Sequence, residues 1–178
     1  YIFGNKKKSL KLYERAIEYT MPRYEKNDDI VCMSVYEAYI ICEIAAISAE
    51  LGDSVRAKRL YTKLMKKCED STMDRWIKGR IYPKAVSGIL RITELSELDK
   101  NTLEIYFNIC DDAVECLRKT RRLYFLRELL IYRNSLCVYS GRDSQKEYAK
   151  LLECLDDLYA QYDIHEQDYE WYPYYING

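Results

Sequence analysis

The chain has 178 residues, of which 48% are hydrophobic and 32% charged, and its formal net charge at pH 7 is −1. This composition is typical of a globular protein with a sizeable core, and it argues against disorder and against a membrane span. A nearly neutral chain also lacks the overall basic charge with which nucleic-acid-binding proteins hold phosphates, so any such surface must be local.

Seven cysteines are scattered along the chain without a C-x-x-C pair, mostly within apolar runs such as AYIICEIAAI. In such runs cysteine acts as a small hydrophobic residue. The odd count, without a signal peptide, predicts reduced thiols and a cytoplasmic protein. The single histidine, His165, has no neighbours at metal-ligand spacing, so we expect no structural metal and no cofactor.

The apolar residues recur at helical spacing along most of the chain, and no segment alternates as a strand does. A first helix is predicted over about residues 9–25. Two helices, over residues 36–51 and from residue 55 to about 68, form a hairpin around the Gly52-Asp53 turn. A further helix follows the STMD caps, with apolar residues over 76–92, and Pro83 inside it predicts a kink or a restart.

Three more helices complete the prediction. Asp99 opens one over about residues 99–120, and the next covers residues 121–140 and stops at Gly141. The sequence from Ser144 to Glu147 is a capping box, which starts the last helix. The acidic, aromatic segment 163–178 is interpreted as a cap over the last hairpin, or alternatively as a segment that fills a groove or contacts a partner subunit.

In the hairpin around Gly52, Ala57 follows that glycine by five residues, Tyr61 follows by four more and Leu64 by three. This spacing resembles the second helix of a tetratricopeptide repeat (TPR), in which a small residue lets two helices approach and an aromatic fills the next groove. Turn signals recur in steps of 48, 44 and 45 residues, which is typical of a solenoid. We therefore predict an all-α domain over residues 1–162, an α-solenoid of TPR-like hairpins, with an irregular HEAT-like helical array as the alternative.

The start of the chain repeats this spacing, with Gly4, Ser9, Tyr13 and Ala16 separated by five, four and three residues. Residues 1–3 would then end a helix whose beginning is not in this chain. The helix after Gly4 would lack its hairpin mate. The expectation is a fragment of a longer protein, or a second molecule covering this end.

No catalytic motif stands out, because the sequence has no G-x-S-x-G, no glycine-rich phosphate loop and no H-E-x-x-H. The paired acids are adjacent in sequence, and neighbours on a helix point about 100° apart, so they do not form a carboxylate dyad. We expect a binding protein and not an enzyme.

A solenoid binds ligands along its concave face, which the first helix of each hairpin lines. Three polar faces are candidates for that role: one basic, one acidic and aromatic, and one that carries an asparagine able to bind a peptide backbone. The solvated side of an amphipathic helix would give the same pattern. The residues predicted to line a peptide groove are Tyr39, Glu43, Arg80, Lys84, Ser87, Arg91, Arg127 and Asn134.

The basic segment LRKTRRLYFLR, residues 117–127, is either a local nucleic-acid contact with interleaved aromatics or a hairpin connection with charges suited to helix ends. The phrases RIYPKAV, ICDDAVECLRKTRRLYFLRELLIYRNSLCVYSGR and LLECLDDLYAQYDI resemble bacterial helix-turn-helix regulators of the Rgg and PlcR type. The resemblance covers most of residues 1–162, in the TPR-like C-terminal half of those proteins.

The resemblance implies a sensor that binds a short peptide or protein segment, forms a homodimer and has no membrane partner. It implies DNA contact only through an N-terminal domain absent from this chain. The family's peptide-binding asparagines map here onto Asn134. Two other functions stay open: a constitutive TPR scaffold, and a phosphatase-type regulator of a response regulator, which would need a glutamine or carboxylate on an additional N-terminal bundle.

Overall fold

The computed structural model describes residues 5–26, 33–69, 73–143 and 146–162, and the chain divides into two compact units, residues 1–94 and 95–178. The described residues form seven α-helices and one short 3-10 helix, and no strand, so the prediction of an all-α array of helix hairpins is confirmed. Unit 1 contains α1 (Lys6–Thr20), α2 (Val35–Glu50), α3 (Ser54–Glu69) and α4 (Arg75–Arg91); unit 2 contains α5 (Lys100–Thr120), α6 (Leu126–Ser140) and α7 (Lys146–Tyr162).

Among these helices, none is both long and apolar enough to cross a membrane. Several predictions lie outside the described residues: the helix end at residues 1–3, the capping box that begins at Ser144, and the segment 163–178 with its His165.

The ends of the unit 1 helices follow from local hydrogen bonding. At the start of α2, the Ser34 hydroxyl accepts a hydrogen bond from the Glu37 N–H, and the Glu37 carboxylate accepts one from the Ser34 N–H at 2.8 Å, which makes a capping box. After α2, Gly52 adopts a φ of 93°, a conformation that glycine reaches without a steric penalty. The chain then turns directly into α3, as the hairpin prediction requires.

The first helix begins and ends earlier than its predicted range of 9–25. Asn5 caps α1 by accepting a hydrogen bond from the Lys8 N–H at 3.0 Å, and after Thr20 the chain forms a turn in which Arg23 takes a positive φ of 61°. Leu12 and Tyr19 on α1 are exposed. The prediction that another molecule covers this helix stays a prediction.

Small residues bring the helices of unit 1 close together, as the TPR-like spacing predicts. Ala57 of α3 is fully buried, and a Cβ atom on Gly88 of α4 would lie only 2.3 Å from the Tyr61 ring. Helix α3 therefore packs directly on α4, while α2 packs against α1, α3 and α4. The Tyr61 ring occupies the space that a side chain at position 88 would fill.

Helix α4 runs unbroken through Pro83, so the predicted restart does not occur. Proline at this position removes the helix hydrogen bond to the carbonyl of Gly79. Gly79 and Pro83 are both buried, and the packing of α4 against α2 and α3 holds the helix together in spite of that loss. Tertiary contacts here outweigh local propensity.

In unit 2, α6 begins at Leu126, and the predicted start at residue 121 is wrong. Arg121 ends α5 with a φ of 55°, and Phe125 precedes α6 with a φ of 62°, so two left-handed residues separate the helices. The predicted end of this helix at Gly141 is confirmed, since Gly141 caps α6 with a φ of 69°. Helix α6 packs against both α5 and α7.

The basic segment therefore spans a helix end and a turn. Arg118 and Lys119 lie in the last turn of α5, where positive charge is favourable to the exposed carbonyl groups. The Lys119 ammonium is also 3.4 Å from the Glu115 carboxylate, one turn earlier. The local charge at this end of α5 is thus partly balanced by an acid that precedes the segment.

Candidate functional site

Six of the predicted groove residues lie on α2 and α4, and four of them, Tyr39, Glu43, Arg80 and Lys84, belong to the surface described first. The Lys84 ammonium nitrogen is 2.9 Å from a carboxylate oxygen of Glu43 and 5.0 Å from the centre of the Tyr39 ring. Glu43 and Tyr39 are on α2, whereas Lys84 is on α4, so these contacts join the two helices across unit 1. We call the surface formed by Tyr36, Tyr39, Glu43, Trp76, Arg80 and Lys84 the α2–α4 face.

The ion pair of Glu43 with Lys84 fixes the inner part of this face. Both side chains are mostly buried, so their charges are poorly screened by water and hold each other in place. Tyr61 packs nearby against Gly88, and burial raises the pKa of its phenol well above the ordinary value. The Tyr61 hydroxyl therefore stays protonated and contributes no charge.

Arg80 differs from Lys84 because its charge is not matched by an acid within the described residues. The central carbon of its guanidinium lies 3.7 Å from the centre of the Trp76 ring, and its buried Nε–H has no hydrogen-bond acceptor in the described part of the chain. Trp76 is 46% exposed and Tyr36, at the start of α2, is 61% exposed. This part of the face offers a positioned cation beside accessible aromatic surface.

The other two predicted residues on α4 lie in different environments. Ser87 is 1% exposed, and its hydroxyl has no hydrogen-bond partner among the described residues, so it is inside unit 1 and not on the accessible surface. The reason is that α4 is packed on most sides over residues 85–90. Arg91 is exposed at the C-terminal end of the helix.

The two remaining predicted residues lie on α6 in unit 2. The Arg127 guanidinium donates a hydrogen bond of 2.5 Å to Asp156, which ties α6 to α7. Asn134 is half-buried, and its side-chain oxygen is buried without a donor in the described residues. Arg127 therefore already has a carboxylate partner, whereas the Asn134 side-chain oxygen accepts no hydrogen bond from a described residue and is not accessible to solvent.

Among the described residues of unit 2, the most buried charged side chain is that of Arg133, which was not among the predicted residues. The side chain of Arg133 is 2% exposed, and its Nε donates to an oxygen of Asp111 at 2.5 Å. Its guanidinium carbon lies 4.9 Å from the Phe107 ring centre and 4.3 Å from that of Tyr148. Burial lowers the pKa of Arg133, but the hydrogen bond and charge of Asp111 more than offset that and leave the pKa above its ordinary value.

Arg133 thus joins α5, α6 and α7 through one cation, and its role is structural. A signal for this was present in the sequence. Arg133 follows Leu129 and Leu130 and precedes Leu136 and Cys137, all of which are buried, so it occupies the apolar face of its helix. A charged residue in such a position needs a buried partner, which here is supplied from α5.

A second polar network lies in unit 1, away from the α2–α4 face. Arg56 of α3 donates to Glu14 of α1 at 2.7 Å, to the Tyr24 hydroxyl at 3.2 Å and to the Glu25 carboxylate. Arg59 binds the same carboxylate. This network fastens the turn after α1 onto α3, since each of its acceptors takes a hydrogen bond from α3.

In the ranges that the structure describes, no three histidine, cysteine or acidic side chains come together as a metal site would require. The cysteines described there, including the exposed Cys154, form no disulfide with one another. Comparisons of the chain with protein-family models, with curated proteins and with solved structures each found no match.

Proposed function

We propose that the chain is a peptide- or protein-binding regulatory module and that the α2–α4 face of unit 1 binds the ligand. The observation that supports this is the state of Arg80, whose cation is held against Trp76 and whose Nε–H has no acceptor in the described residues. The terminal Nη groups of a guanidinium held in this way can bind a carboxylate through two parallel hydrogen bonds.

The neighbouring side chains suit an extended peptide. Trp76 and Tyr36 supply exposed aromatic surface of the kind that anchors binding partners, and both lie in the first turn of their helices. Lys84 is already paired with Glu43 and therefore shapes the face without offering an open charge. The proposed ligand is an extended segment with a carboxylate, from an acidic side chain or the C-terminus, next to apolar residues.

The resemblance to Rgg- and PlcR-type proteins supports a narrower proposal. According to this narrower proposal, the chain is the sensor and dimerisation domain of a bacterial transcriptional regulator, and a helix-turn-helix outside this sequence contacts DNA. The described cysteines form no disulfide with one another, which supports a reducing, cytoplasmic location. Ligand binding would shift the equilibrium between arrangements of the hairpins or of the dimer.

Titration with peptides tests the binding proposal. The probe is a set of extended peptides with free or amidated C-termini, with and without an acidic residue, and binding is followed by calorimetry. We expect a carboxylate-bearing peptide to bind, and Arg80→Gln to weaken it by about tenfold or more, since one charge-assisted bidentate contact is lost.

Arg15→Gln is the matched control, because it removes the same charge from an exposed position on α1. We expect it to leave peptide affinity unchanged. Equal weakening by both variants would contradict a site at Arg80. If no peptide binds while a protein partner is captured equally well by the wild-type and Arg80→Gln chains, the constitutive scaffold is the correct function and the sensor proposal is wrong.

A further inference from the structure

Positive charge is concentrated in the part of unit 1 that contains α1, the turn after it and α3. Residues 5–26 and 53–69 hold 13 lysines and arginines and five acids, although the formal net charge of the whole chain is −1. A local excess of this kind is the electrostatic feature by which a protein attracts a polyanion. Neither α1 nor α3 contributes a residue to the α2–α4 face.

Polar contacts join α3 to α1 and to the turn that follows α1. The Arg56 guanidinium of α3 lies 2.7 Å from the Glu14 carboxylate of α1. The Lys63 ammonium donates to the carbonyl oxygen of Tyr24 at 2.6 Å. Because these contacts bridge the two helices, the exposed side chains beside them belong to one surface of unit 1.

The carboxylates of α1 and of the turn after it are held by the chain itself. Glu14 and Glu25 are half-buried, and both accept hydrogen bonds from Arg56. The Glu18 carboxylate accepts one from the backbone N–H of Arg23 at 3.0 Å. Much of the negative charge is thus engaged within unit 1, and the exposed cations of α1 and α3 dominate the surface.

Exposed polar side chains run along both helices at intervals of three or four residues, so they form one row on each helix. The row on α1 is wholly basic, and its members are about 6 Å apart along the axis, close to the separation of successive phosphates on a nucleic-acid strand. The row on α3 contains two cations and a threonine hydroxyl. We call these residues the α1–α3 face: Lys7, Lys11, Arg15, Arg59, Thr62 and Lys66.

We propose that the α1–α3 face binds the phosphate backbone of double-stranded DNA without reading its sequence. Lysines and arginines neutralise phosphates and release the counterions that are condensed on the duplex. Contacts to phosphates position a protein on DNA but carry no sequence information. The resemblance implies DNA contact only through a domain outside this chain, so the α1–α3 face is an additional site and belongs to this chain alone.

The apolar side of α1 is used within unit 1, which favours DNA over a lipid surface as the occupant. A helix that lies on a membrane buries an apolar face among the lipid chains. Helix α1 packs on α2 with Ile17 fully buried, and the large apolar residues that it exposes are Leu12 and Tyr19. An acidic protein would bind best around an apolar anchor, whereas charged and hydroxyl groups make up the α1–α3 face.

Titration of the full chain with a labelled DNA duplex of about 24 base pairs, followed by fluorescence anisotropy, tests the proposal. We expect a dissociation constant on the order of 10 µM near physiological salt, with the same value for unrelated sequences. Replacing three lysines together, by Lys7→Gln, Lys11→Gln and Lys66→Gln, should weaken binding by about tenfold or more. The slope of log affinity against log salt should become less steep by about 3, since each lost phosphate contact removes about 1.

The matched control removes three charges from the basic segment 117–127, by Arg118→Gln, Lys119→Gln and Arg121→Gln together. We expect it to leave DNA affinity and the salt slope unchanged. Weakening of DNA binding by this control equal to or greater than that by the lysine variant would overturn the proposal, because the segment 117–127 would then be the DNA contact.

A variant that keeps the charge separates electrostatic binding from an effect on folding. Lys7→Arg, Lys11→Arg and Lys66→Arg together should bind DNA as the wild type does, because arginine also neutralises a phosphate. A loss of affinity equal to that of the glutamine variant would overturn the proposal, since the charge would then not be the cause.

Two single variants distinguish this site from the peptide site. Arg15→Gln should reduce the salt slope of DNA binding by about 1 and leave peptide affinity unchanged. Arg80→Gln should weaken peptide binding and leave DNA binding unchanged. Failure of peptide binding therefore leaves the DNA site standing, and failure of DNA binding leaves the peptide site standing.

Other polyanions show whether DNA is the occupant. Vesicles that contain phosphatidylserine and soluble polyglutamate are compared with DNA at equal concentrations of negative charge. We expect the chain to bind DNA more tightly than either of them. Tighter binding to the vesicles or to polyglutamate, or no binding to DNA even at about 50 mM salt, would overturn the proposal.

Discussion

The contact of α3 with α4 in unit 1 and the contact of α5, α6 and α7 in unit 2 depend on different chemistry. In unit 1, α3 and α4 approach because Gly88 leaves room for the Tyr61 ring, and the contact is one of shape. In unit 2, α5, α6 and α7 meet around the cation of Arg133, which is bound by Asp111 and lies against two aromatic rings. The α3–α4 contact of unit 1 thus depends on complementary shape, whereas the contact of α5, α6 and α7 in unit 2 depends on a buried charge.

Because of this difference, we expect the stability of the two contacts to respond to different kinds of substitution. A core closed by shape tolerates little added volume, because interiors are packed as densely as organic crystals. A core that contains a charge depends on the partner of that charge, since an unpaired buried ion is strongly unfavourable. Unit 1 should therefore respond most to added atoms, and unit 2 to the removal of a carboxylate.

The largest expected effect is at Asp111. Asp111→Ala leaves the Arg133 cation buried without its carboxylate, and we expect the free energy of unfolding to fall by about 3 kcal/mol. Urea denaturation measures it. Asp112→Ala removes the same charge from the next residue, which is exposed, and should change stability by less than about 0.5 kcal/mol.

A second variant shows whether charge is the reason. Arg133→Met removes the cation and keeps an apolar side chain between the rings, so we expect it to destabilise unit 2 less than Asp111→Ala does. The reverse order would mean that Arg133 acts by packing alone, and the contrast between the units would disappear.

The next effect is at Gly88. Gly88→Ala would be favourable by about 1 kcal/mol on helix propensity alone. The new Cβ lies 2.3 Å from a ring that is buried, so we expect a net loss of about 2 kcal/mol in the free energy of unfolding.

A double-mutant cycle with Tyr61→Leu identifies the cause of that loss. If the clash with the ring is responsible, Gly88→Ala should become neutral or stabilising once the ring is gone. An unchanged penalty in the double variant would show that Gly88 is required for another reason. A stabilising single variant would show that the ring moves aside freely.

Sequence reasoning succeeded where the cause is local and periodic. Gly52 and Gly141 end helices because each takes a positive φ, and Ala57 and Tyr61 are buried where the repeat spacing places them. It failed at Arg121 and Phe125, which adopt left-handed conformations although neither is glycine. Neither side chain predicts that the helix would be interrupted between α5 and α6.

Contacts between distant parts of the chain were harder to foresee. Arg133 and Asp111 are separated by 22 residues, and only the packing of α5 on α6 makes them a pair. On the candidate face, the meeting of Glu43 with Lys84 depends in the same way on α2 lying against α4. The burial of Ser87 follows from the crowding of α4 and not from its polar side chain.

The smallest expected effect concerns the polar network of unit 1, and it is a dependence on pH. Burial alone would raise the pKa of Glu25, but hydrogen bonds from Arg56 and Tyr24 and the charges of Arg56 and Arg59 hold it below the ordinary value of 4.5. The stability that ionised Glu25 contributes is therefore complete above about pH 4.5 and is lost as the pH falls through the folded pKa. We expect Glu25→Gln to lower the free energy of unfolding by about 1 kcal/mol at neutral pH.

That difference between the wild-type and Glu25→Gln chains should shrink as the pH falls below the ordinary value, because protonation removes the same charge from the wild type. Denaturation at a series of pH values measures it, with Glu153→Gln, at an exposed carboxylate of α7, as the control. A difference that persists unchanged in acid would mean that Glu25 contributes by packing. The contact between the turn after α1 and α3 would then also depend on packing, and its contrast with the charged core of unit 2 would be greater.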